Sequence, residues 1–78
     1  MSQLTLDLNR LKAERIACGL TQEQLAKQVG HKRAWYAKRE SGIVDIGADE
    51  LAVIANALGI QSLDIFFKKN VPEKQRNK

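Results

Sequence analysis

At 78 residues, 44% apolar and 28% charged, with one Cys, one His and one Pro, the chain suits one small globular domain and leaves no room for a second. Its longest apolar run, Leu51–Ala55, falls far below the about 20 residues of a membrane span, and a lone Cys18 beside His31 supplies neither a disulfide nor a metal site. A cytoplasmic protein with no metal, no cofactor and no membrane partner is expected, and its net charge of +4 admits an anionic partner without locating it.

Leu4, Leu6 and Leu8 alternate with polar residues, which is strand spacing. A flexible arm is the simpler reading of so short a stretch, and a paired strand is its alternative. The first helix begins near Asp7 or Asn9, whose side chains can cap free N–H groups, and ends before Gly19. It carries Leu8, Leu11, Arg15 and Cys18 on one face, with Ile16 flanking it. Thr21 and Gln24 then have the spacing of a capping box, with Leu20 and Leu25 as its hydrophobic staple. The second helix starts there, buries Leu25, Ala26 and Val29, and stops at Gly30 after about two turns.

A third helix runs from near Lys32 to about Glu40, ahead of Gly42. From Ala48 to Leu58 the residues Leu51, Ile54, Ala55 and Leu58 recur at helical spacing, with Asp49 and Glu50 in the first turn, where the helix dipole favours acids. Gly59 closes this fourth helix. Ser62 can cap a last short helix holding Leu63, Ile65, Phe66 and Phe67, after which Pro72 and a polar, basic segment suggest frayed chain. Residues 1–67 are therefore expected to form the domain and 68–78 a disordered basic tail.

Charge is segregated along the chain. Between Gln24 and Arg39 stand Lys27, Lys32, Arg33, Lys38 and Arg39 with no acid, and between Glu40 and Phe67 stand Glu40, Asp45, Asp49, Glu50 and Asp64 with no base. The whole net charge comes from the residues after Phe67. Two short helices joined by a tight glycine turn within residues 21–40 meet the requirements of a helix-turn-helix, with Ala26 small enough for close approach and Gly30 free to turn.

The residues themselves go further: Gly19-Leu20-Thr21-Gln22-Glu23-Gln24-Leu25-Ala26, then Gly30, then Glu40-Ser41-Gly42, then Leu51, Ile54-Ala55 and Ala57-Leu58-Gly59. This pattern, from Leu11 to Phe66, resembles the helix-turn-helix family of phage Cro proteins and lambdoid repressors, the XRE type. The string from Tyr36 to Gly42, with Asp64-Ile65-Phe66-Phe67, is similar to small prophage repressors of Gram-positive bacteria. The resemblance implies an all-α, compact four- to five-helix domain of the lambda-repressor kind. It also implies a sequence-specific, double-stranded DNA-binding transcriptional regulator, a repressor, whose third helix enters the major groove.

Carried over by position, the resemblance puts Thr21 and Gln22 at a DNA phosphate, beside the N–H groups of a helix start. It puts Arg33, Ala34 and Lys38 toward bases, Lys32 toward a phosphate or the groove edge, and Ser41 in a loop touching the DNA backbone. Arg33 can bond guanine O6 and N7 together, whereas Ala34 offers only a methyl. Arg15 and Glu40 align with an internal ion pair joining the first helix to the end of the third. The chain departs from the pattern at several points. His31-Lys32 replaces the usual Ser or Thr cap, and Ile43, Val44 and Asp45 lack basic side chains. Tyr36 replaces a small aliphatic residue and is expected inward. Trp35 lies at the edge, either on the following helix or facing DNA, where Arg39 could stack on it.

Nothing in the chain supports catalysis, since no phosphate loop, metal spacing or nucleophile with its base is present. The competing reading is an antitoxin or helical interaction module with DNA binding secondary, for which the acidic half and the Phe66-Phe67 end leave room for a protein partner. So small a reader needs two copies on half-sites, so a homodimer on a palindromic operator is expected. Phe66 and Phe67 are the first candidate interface, and the Leu4–Leu8 segment is the second.

Overall fold

In a computed structural model the described residues are 3–70. Four helices carry the fold: α1 (Leu8–Ala17), α2 (Gln22–Gln28), α3 (Arg33–Glu40) and α4 (Ala48–Ala57), followed by a 3₁₀ helix (Leu63–Phe66). Asp7 caps α1 by accepting from the Arg10 N–H. The capping box of α2 is complete, with Thr21 Oγ1 accepting from Gln24 N at 3.0 Å and Gln24 Oε1 accepting from Thr21 N at 2.9 Å. At the start of α3, Lys32 gives no side-chain cap. Gly47 opens α4 with the Glu50 carboxylate reaching back to its N–H at 3.0 Å.

The fold is nearly all-α, with one addition. Gln3–Leu6 is a strand, β1, paired antiparallel with β2 (Phe67–Asn70) in the register Leu6 to Phe67 and Thr5 to Lys68. The amino-terminal segment is thus the paired strand rather than the arm. Its partner lies some 60 residues away, which is why alternation alone did not decide the matter. The proposed boundary at residue 67 also shifts, because Lys68 belongs to β2. Residues 71–78 of the expected disordered tail lie outside the described residues.

The core is a single cluster of Leu11, Leu25, Ala26, Tyr36, Leu51, Ile54, Ala55, Leu58 and Phe66. Each helix contributes its expected face, although Val29 is only half-buried and Cys18 and Ile16 are exposed. Phe66 overturns its assignment to a dimer interface: its exposure is 0%. Placing it in this core stabilises the monomer by about 1.5–3 kcal/mol, which removing it to an interface would forfeit. Phe67 begins β2 instead of ending a helix and keeps 38% of its surface open.

Candidate nucleic-acid interface

The site rests on how α2 and α3 are held. The turn between them is made by Gly30, whose φ of +84° is open to glycine at no steric cost, and by the His31 N–H bonding to the Ala26 carbonyl at 2.8 Å. Below the turn, Glu40 at the end of α3 gathers three side chains, one each from α1, α2 and its own helix. Its Oε2 accepts from Arg15 Nε at 2.8 Å and from the Tyr36 hydroxyl at 2.7 Å. Its Oε1 accepts from Gln22 Nε2 at 2.9 Å and from Arg15 Nη2 at 3.2 Å.

Arg15 finishes the network by donating Nη1 to the Leu20 carbonyl at 2.7 Å. The two charged side chains are 10% and 5% exposed, so this ion pair ties α1 to α3 inside the protein. Burial by itself would raise the Glu40 carboxyl, but the hydrogen bonds from Arg15, Tyr36 and Gln22 outweigh it and hold the group below the ordinary carboxylate value. The hydrogen bond to Glu40 raises Arg15, and burial followed by the same carboxylate raises the Tyr36 hydroxyl. The pair stays ionised while the phenol stays neutral.

With Tyr36 and Glu40 turned inward, the opposite arc of α3 is exposed. At about 100° per residue, Ala34, Lys38 and the following Ser41 share that arc, while Arg33, in line with Glu40 seven residues on, is open because it begins the helix at the turn; all four are exposed. Trp35 takes another direction. It is half-buried and lines a recess of about 180 Å³ with Val29, Asp49, Glu50 and Val53 on the α4 side. His31 stacks on its indole at 3.7 Å and 3° between planes, and the Arg39 guanidinium lies 4.1 Å from the ring centroid. Of the two positions open to Trp35, the one against α4 is occupied.

Arg39 is fixed further by Glu50, at 3.0 and 3.3 Å, and by donating to the Trp35 carbonyl at 3.0 Å. That bond from Arg39, followed by the Gly47 N–H, lowers the Glu50 carboxyl. Arg39 therefore does not belong with the free bases of its stretch, which are Lys27, Lys32, Arg33 and Lys38, all exposed.

Two polar shelves flank the exposed arc. One is a depression lined by Glu23, Lys27, His31, Lys32 and Arg33 at the α2–α3 turn. The other joins Asn9 and Lys12 of α1 with Gln22, Glu40 and Ser41. Gln22 and Ser41 are thus brought together, while Thr21 is exposed and engaged as a cap. Gln22 spends one amide hydrogen on Glu40 and keeps its other hydrogen and its carbonyl oxygen. Lys12 and Asn9 are additions to the sequence reading. They precede the motif and reach the site only through the packing of α1, so no local pattern marks them. Among the described residues no cluster of His, Cys, Asp and Glu suits a metal ion, and no helix is long and apolar enough to cross a membrane.

A helix-turn-helix family model matches residues 11–66. The chain belongs to the XRE-type helix-turn-helix family. Membership makes it a DNA-binding domain of the kind found in transcription regulators. Among solved structures, this helix-turn-helix chain is similar to the crystal structure of a hypothetical transcription factor, NHTF, from Neisseria. The TM-score is 0.69 and the identity 25%, over 88% of this chain and 75% of that one. No curated protein matches it.

Proposed function

We propose that this helix-turn-helix protein is a sequence-specific repressor that lays α3 in the major groove of double-stranded DNA, two copies occupying a palindromic operator. The observation that carries the reading is the open start and outer arc of α3, where Arg33, Ala34 and Lys38 are exposed and their side chains make no hydrogen bond or ion pair among the described residues, while every other large side chain of the helix is tied down. In this reading Arg33 takes guanine O6 and N7, Lys38 a second acceptor, and Ala34 a thymine methyl. The free amide hydrogen of Gln22, with Lys12, Asn9 and Ser41, holds one phosphate strand, and Lys32 with Lys27 holds the other. These phosphate contacts fix the register in which the bases are read.

Selection of bound duplexes from a random pool tests this directly. A palindrome should emerge with half-sites about one helical turn apart. Arg33→Ala should relax the preference at one position by about 1–3 kcal/mol, whereas Gln22→Ala should weaken binding on every sequence. Affinity should fall with salt at a slope near −0.9 per phosphate neutralised. Binding indifferent to salt and to both variants would refute the placement of α3 and favour a protein partner.

A further inference from the structure

We infer that the free edge of β1 is the surface on which a second copy of this chain pairs, strand to strand, about a two-fold axis at Thr5. The inference deepens the two-copy part of the function above, and it begins from the direction of backbone groups. The Asp7 N–H donates to the Phe66 carbonyl, and the register runs on through Thr5 to Lys68 and Gln3 to Asn70. In an antiparallel ladder bonded residues alternate. Gln3 and Thr5 therefore turn their N–H and C=O groups to β2, as Asp7 turns its N–H to Phe66, and Leu4 and Leu6 turn theirs away.

Those groups face a groove. A cavity of about 210 Å³ is lined by Thr5, Leu6 and Leu8 on one side and by Arg39 and, in the loop after α3, Gly42, Val44, Asp45 and Ile46 on the other. Consecutive strand residues project to opposite faces, so a cavity touching both lies at the strand's edge. Neither Phe67 nor Lys68 lines it, so the edge is the one opposite β2. The Leu6 N–H and C=O make no other hydrogen bond among the described residues. On the loop beside them Ile43 is 75% exposed.

Charge and symmetry name the occupant. Gln3–Leu6 is uncharged, whereas β2 carries Lys68 and Lys69. Pairing two copies through β2 would set like charges side by side; pairing through β1 leaves the lysines on the outer strands, apart. An antiparallel β1–β1 contact centred on Thr5 opposes Leu4 of one copy to Leu6 of the other, twice. Every outward N–H then meets an outward C=O. The contact is isologous and closes at two copies, and the exposed Ile43 stands beside it.

The test is read without DNA, so its outcome is independent of whether α3 binds an operator. Sedimentation equilibrium of the full chain over a concentration series should show reversible monomer and dimer. Thr5 is exposed and meets its own symmetry mate, so Thr5→Lys and Thr5→Glu should each sediment as a monomer, and an equimolar mixture should regain the dimer. Cys18 allows the chain to be assembled by ligation at Ala17–Cys18 with an N-methyl group on Leu6, which removes an outward donor and leaves the β2 ladder intact. That chain should associate at least roughly tenfold more weakly, with helical circular dichroism unchanged. A wild-type chain that stays monomeric, an N-methylated chain that associates like wild type, or a mixture that fails to restore the dimer would each overturn the proposal.

Discussion

Replacing Glu40 by Ala removes the carboxylate that accepts from Arg15, Tyr36 and Gln22 together. The loss exceeds the value of the bonds. It leaves a guanidinium only 10% exposed without its counter-ion and a buried phenol without its acceptor, and stranding one member of such a pair costs about 3–5 kcal/mol. A chain of this size has only about 4–12 kcal/mol in total, and each kcal/mol moves its midpoint by about 4–8 °C. Circular dichroism at pH 7 should therefore show a fall of at least about 12 °C. Glu23→Ala is the control, since Glu23 is exposed in the first turn of α2 and is worth under about 1 kcal/mol. The carboxyl of Glu40 is held below its ordinary 4.5, so the unfolded chain binds its proton more readily. The stability it contributes is present above that value and is lost as pH falls through the folded value. Wild type should weaken below about pH 4.5 more steeply than Glu40→Ala, while Glu50, lowered in both chains, cancels in the comparison. Equal, small losses for Glu40→Ala and Glu23→Ala would refute the account of the buried pair.

Gly42→Ala should destabilise more than Gly30→Ala in urea titrations. Both have positive φ, costing about 1–2 kcal/mol, but a Cβ at Gly42 also meets Leu8 Cδ1 at 3.3 Å while Gly30 faces open space. Arg39→Ala should uncover the only Trp, shifting Trp35 emission to the red and raising its quenching by acrylamide; Glu50→Gln should do the same to a smaller degree. An unchanged spectrum would mean that the guanidinium does not cover the ring. Lys12→Ala should lower the salt slope of DNA binding by about one without changing sequence preference; an unchanged slope would remove α1 from the phosphate contacts.

The helix boundaries were legible because they are set locally. Thr21 with Gln24, Gly30, Gly42 and Gly59 act on neighbours within a turn, so residue type and spacing suffice. Arg15 with Glu40 came from the family likeness, and the geometry adds that Gln22 shares the same carboxylate. What eluded the sequence depends on distant partners. The pairing of Leu4–Leu6 needs Phe67–Asn70, the burial of Phe66 needs α1 and α4, and Lys12 reaches Gln22 only when α1 packs. Phe66 and Phe67 illustrate the difficulty most sharply. Adjacent and chemically identical, they part company where a 3₁₀ helix gives way to a strand, one closing the core and the other half-open. Arg39 is a similar case, since its capture by Glu50 across the α3–α4 junction subtracts a base from a stretch that counts five.

The separation of duties around α3 bears on how such a protein could change its target. Tyr36, Glu40, Trp35 and Arg39 are committed to partners inside the protein, whereas Arg33, Ala34 and the Lys38 side chain make no hydrogen bond or ion pair among the described residues. Substitutions at such free surface positions usually stay within about 0.5 kcal/mol. In the proposed reading, a lineage or a designer can therefore rewrite these three exposed letters while the grammar that holds them in place remains untouched. New specificities are reachable through folded intermediates, one substitution at a time.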